Sequence, residues 1–259
     1  MFTRLFWLAL ICTAAVTAEA GTARPVRLTT TDDLGIAGTY YPVESNNAPA
    51  VILLHALGKN REEWAGIAPA LQRNGIAAVA IDLRGHGEST RRLTADGALL
   101  VDYRSFKPKD FQDMLMDINA AFDWLAEQPG IDKTRIGIVG AGLGANLALR
   151  YSAFNEDVAA LLALSPGLAI QEIRADTIMT KIGKRPLRIA VASGDTYGFT
   201  SAKRLLQLRK DFGQAVEENE LTVCTGELQG TAIITGTKGM PEVVFGWLYR
   251  VLQHPPSPP

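Results

Sequence analysis

The sequence predicts an α/β protein: one mostly parallel sheet of about eight strands with helices on both faces. Three observations carry this. Short, wholly apolar runs recur at residues 50–54, 76–81, 136–139 and 158–164, the mark of strands buried on both faces, and a further strand-like run covers 187–192. Amphipathic helical patterns alternate with them; the clearest steps through Phe111, Leu115, Ile118, Phe122 and Leu125. The central run passes through Gly140-Ala141-Gly142-Leu143-Gly144 straight into a helical pattern, a strand–turn–helix so tight that small residues are required.

Composition bounds the class. The 259 residues are 47% hydrophobic and 20% charged, enough for one large domain with a full core. Formal net charge is −1 and no Lys/Arg stripe occurs, so nucleic acid is not an expected partner. No cofactor or metal site is expected either.

Residues 1–20 read as an export signal. Arg4 supplies the positive start, residues 5–11 the apolar stretch, and Ala18-Glu19-Ala20 a cleavage site before Gly21. The apolar part is short for a membrane span, so no stable span is expected after cleavage; retention as an anchor is the alternative. Ile11 before Cys12 argues against lipidation, and cleavage leaves Cys224 as the sole cysteine, with no intrachain disulfide. The predicted location is periplasmic or secreted. Residues 21–253 contain no linker-like break and read as one domain, and residues 254–259 as a Pro-rich tail.

Within that domain, residues 26–30 and 36–41 read as two antiparallel strands around Asp32, Asp33 and Gly35. The strand at 50–54 ends in His55-Ala56-Leu57-Gly58. One helix follows, with Trp64, Ile67 and Leu71 on its inner face and Asn74-Gly75 as its stop. The strand at 76–81 leads into Asp82-Leu83-Arg84-Gly85-His86-Gly87-Glu88-Ser89. Residues 90–107 look polar and irregular. The helix from Asp110 ends at Pro129-Gly130. After the strand at 158–164 come Ser165-Pro166-Gly167 and about twenty residues with room for one helix. The strand at 187–192 leads to Asp195, a helix covers 202–212, a short strand 221–224 precedes Leu228-Gln229-Gly230-Thr231, and the last helix covers 241–252.

The glycine turn fits two patterns. In G-x-S-x-G, the nucleophile elbow, Gly140 and Gly144 are the flanking glycines and Gly142 holds the nucleophile position. In G-x-G-x-x-G/A, the dinucleotide fingerprint, Gly140 and Gly142 are followed by Ala145. The second pattern needs an acid at the end of the next strand. That strand ends in Ala163-Leu164-Ser165-Pro166, and Asp157 lies at its other end.

Taken in order, these segments resemble the α/β-hydrolase family over essentially all of residues 21–253. His55-Ala56-Leu57-Gly58 looks like the family's His-Gly loop. Residues 82–89 look like its D-x-R-G-H-G-x-S segment, and residues 140–144 occupy its elbow. Asp195 follows the strand that carries the family's acid, and Gln229-Gly230 stands where its His-Gly would be. The resemblance implies an α/β-hydrolase fold with little or no lid and a carboxylic-ester or acyl hydrolase ancestry.

It also implies a degenerate triad. A serine must attack, a histidine must take its proton and an acid must orient the histidine. Gly142 has no side chain, and the Gln229 amide is no base near neutral pH. Asp195 alone remains, and the Gln229 amide is expected to point at it. His55 and His86 fall on structural turns, and His254 lies in the tail. Ser152 lies on a helix and Ser165 on no elbow. The family's oxyanion hole is made of backbone: the N–H of Leu143, and that of Leu57, with Ala56 as the alternative. The expectation is therefore an exported, catalytically inactive homologue. It would bind a small carboxylate or ester, or a protein partner whose identity the sequence does not give. The alternatives are an active acyl hydrolase using other residues and a dinucleotide-binding protein.

Overall fold

The computed structural model of the chain describes residues 21–95, 97–214 and 220–253. The expected signal segment, the Pro-rich tail and His254 lie outside the described residues.

In chain order the elements are β1 (Arg24–Thr29), β2 (Leu34–Tyr41), β3 (Ala48–Leu54), α1 (Ala68–Arg73), β4 (Ala77–Ile81), β5 (Arg91–Thr94), β6 (Gly97–Leu100), α2 (Pro108–Ala126), β7 (Ile131–Ala141) and α3 (Leu143–Ser152). Then follow β8 (Val158–Leu164), β9 (Ala169–Ile170), β10 (Ile173–Arg174), α4 (Met179–Ile182), β11 (Leu187–Ala192), α5 (Thr196–Asp211), β12 (Leu221–Cys224), α6 (Ala232–Gly236) and α7 (Met240–Gln253). Among the described residues one ten-stranded sheet runs β12-β11-β8-β7-β3-β4-β2-β5-β6, with β1 paired to β2. The strands β3, β4, β7, β8, β11 and β12 are mutually parallel; β1, β2, β5 and β6 add the antiparallel part.

Side-chain alternation divides the core in two. Along β3, Ile52 and Leu54 face one side and pack with α2, α3 and α5; Val51 and Leu53 face the other and pack with Trp64, Leu71, Val244 and Leu248. Both faces are therefore covered, as a parallel sheet requires. The helix α2 starts at Pro108, whose missing N–H costs nothing there, and the Asp110 carboxylate accepts the Lys107 N–H at 2.8 Å.

Three stretches differ from the sequence reading. The expected single helix after β3 is a 3₁₀ turn, Arg61–Trp64, and then the short α1. Pro69 in the first turn of α1 cannot donate to the preceding turn, so the two pieces stay separate. Residues 90–107 contain the β5–β6 hairpin, which extends the sheet from about eight strands to ten. Its leucines Leu93, Leu99 and Leu100 are exposed, so it lacks the in–out alternation that marks a half-buried strand. The region between β8 and β11 holds the two-residue strands β9 and β10, a 3₁₀ turn and α4 in place of one helix. Asn146, fully buried on α3, holds this segment down: its amide bonds Gly167 O, Gly167 N–H and Ile173 O at 3.0, 3.0 and 2.8 Å.

Candidate active site

The site is built at the carboxyl ends of β3, β7, β8, β11 and β12. The strand β7 ends at Ala141 and α3 begins at Leu143, leaving Gly142 as the whole connection. Its backbone sits at φ 52°, ψ −114°, a region that L side chains occupy only under strain. The flanking glycines are steric requirements. A Cβ on Gly140 would lie 2.2 Å from Gly144 O, and one on Gly144 would lie 2.4 Å from Leu54 O. Gly142 itself has room: a Cβ there would meet the Ala56 Cβ at 3.4 Å, ordinary contact. The geometry is that of a nucleophile elbow with no nucleophile side chain.

The loop after β3 is shaped by two histidines. His55 is fully buried; its Nδ1–H donates to Ala56 O at 2.7 Å and its Nε2 accepts the Leu83 N–H at 3.0 Å. His86 donates from Nδ1 to Arg84 O at 3.0 Å, accepts the Gly58 N–H at Nε2 at 3.2 Å, and stacks on Tyr103 with centroids 4.0 Å apart. These tautomers follow from the hydrogen-bond network. Burial pushes the His55 pKa down to about 3 and lowers that of His86. Both rings are neutral near pH 7 with each nitrogen engaged, so neither is free to act as a base. The His86 turn is itself fixed to α2. The Arg84 Nε donates to Asp117 Oδ1 and its main-chain N–H to Oδ2, each at 2.8 Å, and Arg84 Nη1 reaches Asp32 at 2.9 Å.

Two backbone donors stand open. The N–H groups of Leu57 and Leu143 bond no acceptor among the described residues. The Ala56 N–H does not compete, because it donates to Glu63 Oε2 at 2.9 Å. Leu143 opens α3, where the first N–H groups lack intrahelical partners.

The turn after β11 holds a buried carboxylate, Asp195. Asp195 ends the β11 turn and caps α5, with Oδ1 accepting the Gly198 N–H at 3.0 Å. Gln229 Nε2 donates to that same oxygen at 3.0 Å, where an imidazole N–H would otherwise be aimed. Asp195 is 5% exposed, and its Oδ2 has no hydrogen-bond partner among the described residues. The loop after β12 makes two further bonds: Gly230 N–H to Ser165 Oγ at 3.1 Å, and Thr231 Oγ1 to Glu63 Oε1 at 3.0 Å.

The structure thus brings Gly142, Leu143, Leu57, Asp195 and Gln229 to one end of the sheet. Sequence reading missed Glu63 and Thr231. Glu63 sits in Arg61-Glu62-Glu63-Trp64, which reads as an exposed, charged helical turn; only the fold turns its carboxylate back onto Ala56. Ser165 is more engaged than its position before Pro166 suggests: it holds φ 49° and lies beside the Gln229 loop. Ser152 stays in the helix, its Oγ donating to Ala148 O at 2.8 Å. The dinucleotide pattern finds no partner, since β8 runs into Ser165 with no acid at its carboxyl end. Two surface pockets lie elsewhere: one of about 560 Å³ between α2 and the end of α3, the other of about 510 Å³ between α1 and the α6–α7 turn.

A parallel sheet flanked by helices, with an elbow after β7 and an acid after β11, defines a hydrolase-type α/β protein. The family model of the alpha/beta hydrolase fold matches residues 49–182, and the chain belongs to that family. An uncharacterized protein of Mycobacterium tuberculosis is 29% identical over 59% of this chain and 48% of its own length. The thiohydrolase aneE of Aspergillus aculeatus is 28% identical over 57% of this chain and 43% of its own. The chain therefore spans about half the length of the curated relatives it matches. Among solved structures, the Pyrococcus furiosus esterase Pf2001 superposes with a TM-score of 0.67 at 19% identity, over 88% of this chain and 92% of that one.

Proposed function

We propose that this protein is an exported α/β-hydrolase homologue that has lost Ser–His–Asp catalysis and binds a small acyl compound at its oxyanion site. One observation carries the reading: an intact elbow centred on a glycine, with the Gln229 amide in the imidazole's place on Asp195. Without a side-chain oxygen at Gly142 no acyl-enzyme forms there, and without a basic nitrogen at Gln229 no proton is taken. Losing both side chains leaves the backbone donors of Leu57 and Leu143 in place. Two N–H groups unpaired among the described residues, one opening α3 and one following Ala56, which faces Gly142, suit a carbonyl oxygen of an ester, thioester or amide. Relatives carrying names such as thiohydrolase and esterase support an acyl-type ligand.

Turnover of short acyl esters together with fluorophosphonate labelling tests this. The expected outcome is no turnover above a blank and no label. A second reading rests on Ser165, whose left-handed backbone lies at the same end of the sheet. Serine-directed labelling abolished by Ser165→Ala would establish it and overturn the inactive assignment. Export is tested by N-terminal sequencing from the native host, with Gly21 as the expected first residue.

A further inference from the structure

The residue that ties the oxyanion loop to the β12 loop is a carboxylate. Glu63 accepts from Ala56 at one oxygen and from Thr231 at the other, so one side chain spans both walls. Ala56 is also the residue nearest the missing side chain at Gly142, 3.4 Å from a Cβ built there. On the opposite wall, a Cβ built on Gly230 would lie 3.7 Å from Glu63 Oε1 and 3.4 Å from the Ala141 Cβ. The carboxylate is therefore fixed alongside the elbow. No cation neutralises it among the described residues: Arg61, two positions away, is turned onto Asp82 and Glu88. Lys59 is solvent-exposed, where its field is screened.

Backbone N–H groups at a helix start favour any acceptor, an anion most of all. A fixed carboxylate beside them reverses that preference for a ligand that carries a full negative charge, while acting on a neutral carbonyl only through its weaker dipole. Resting on the binding function proposed above, we propose that Glu63 is the specificity-determining residue of this site: it admits uncharged acyl carbonyls and excludes the corresponding free carboxylates. The product of ester cleavage elsewhere would then not compete with the intact ester for this protein.

Methyl butyrate and butyrate differ by this charge and little else. Amide resonances of Leu57 and Leu143 in isotope-labelled mature protein report binding of each near neutral pH. The ester should bind about tenfold or more tightly than the anion, and the ratio should narrow as salt is raised. Glu63→Gln keeps an oxygen for the Ala56 N–H and an amide for the Thr231 hydroxyl, so it removes charge while preserving the brace. It should bring the two ligands to within about twofold of each other, with an unchanged melting temperature confirming the fold. Equal binding of both ligands to the unmodified protein, or a ratio untouched by Glu63→Gln, overturns the role of Glu63 and leaves ligand binding standing. No movement of either amide with either ligand overturns the binding function itself, and this inference with it.

Discussion

Rebuilding the triad is the most demanding test of the site. Gly142→Ser with Gln229→His installs the two side chains that the proposed degenerate triad lacks. A serine Cβ at residue 142 meets the Ala56 Cβ at 3.4 Å, so it fits without moving the loop. Its cost lies in the backbone: holding a non-glycine residue at φ 52°, ψ −114° takes roughly 1–3 kcal/mol. Against a typical stability of about 5–15 kcal/mol, the variant should fold with a lowered melting temperature. The histidine inherits an orienter already in place, because Gln229 Nε2 lies 3.0 Å from Asp195 Oδ1. A positioned general base contributes about 10²–10⁴ in rate, so the double variant should exceed Gly142→Ser alone by that order. Hydrolysis of a p-nitrophenyl ester, with fluorophosphonate labelling to count competent sites, reads both. A folded double variant that neither turns over nor labels would refute the placement of Leu57 and Leu143 as oxyanion donors.

Further outcomes follow from the same contacts. Gln229→Leu strands the buried Asp195 carboxylate with only the Gly198 N–H, and chemical denaturation should show a loss of about 1–3 kcal/mol. Gly144→Ala drives a methyl to within 2.4 Å of Leu54 O and 2.7 Å of His55 O. Both are backbone atoms, so expression or stability should collapse by about 3 kcal/mol or more, while Gly66→Ala, with open space around it, serves as the tolerated control. Stability should fall as the pH drops from 6.5 toward 3: burial depresses His55 to about 3, so the unfolded chain binds its proton first and gains up to about 5 kcal/mol. Asp117 opposes this between 3.8 and about 6, because burial raises its pKa and the folded chain there holds the extra proton. His55→Asn should flatten the acid limb of a pH–denaturation profile; an unchanged slope would assign acid sensitivity elsewhere.

The parts of this fold that were legible in sequence are those where one physical requirement fixes residue type. A strand buried on both faces must be apolar throughout, so β8 was readable to the residue. The elbow was readable because Gly140 and Gly144 leave no room for a Cβ. The contact of Gln229 with Asp195 was readable because a buried carboxylate needs a donor and only one residue stands in the imidazole's place. The β5–β6 hairpin was not, since neither strand has a core to face and Arg91-Arg92-Leu93-Thr94 carries no alternation. Glu63 was hidden for a different reason. A glutamate beside an arginine and another glutamate has the pattern of a solvated face, and its partners Ala56 and Thr231 lie 7 and 168 residues away. Long-range hydrogen bonds from ordinary residue types leave no periodic trace.

Under the proposed function, the glycine at 142 and the glutamine at 229 stand for lost triad side chains, and the two act on stability in the same direction. A serine at the elbow is held under strain, and Gly142 releases it at the same φ and ψ. A histidine beside Asp195 carries a charge that changes near neutral pH, and Gln229 supplies the same donor with none. Each change thus removes a cost that only catalysis justifies. Neither change touches the Leu57 and Leu143 N–H groups, the His55 and His86 bonds that shape their loop, or the Glu63 brace. On the proposed function, a site relaxed in its reactive side chains and unaltered in its backbone donors would lose the means to break a bond while retaining the means to hold a carbonyl. That asymmetry is the ground on which we propose a binder rather than a cryptic enzyme or an inert remnant, with its binding surface at the start of α3 rather than in the two surface pockets.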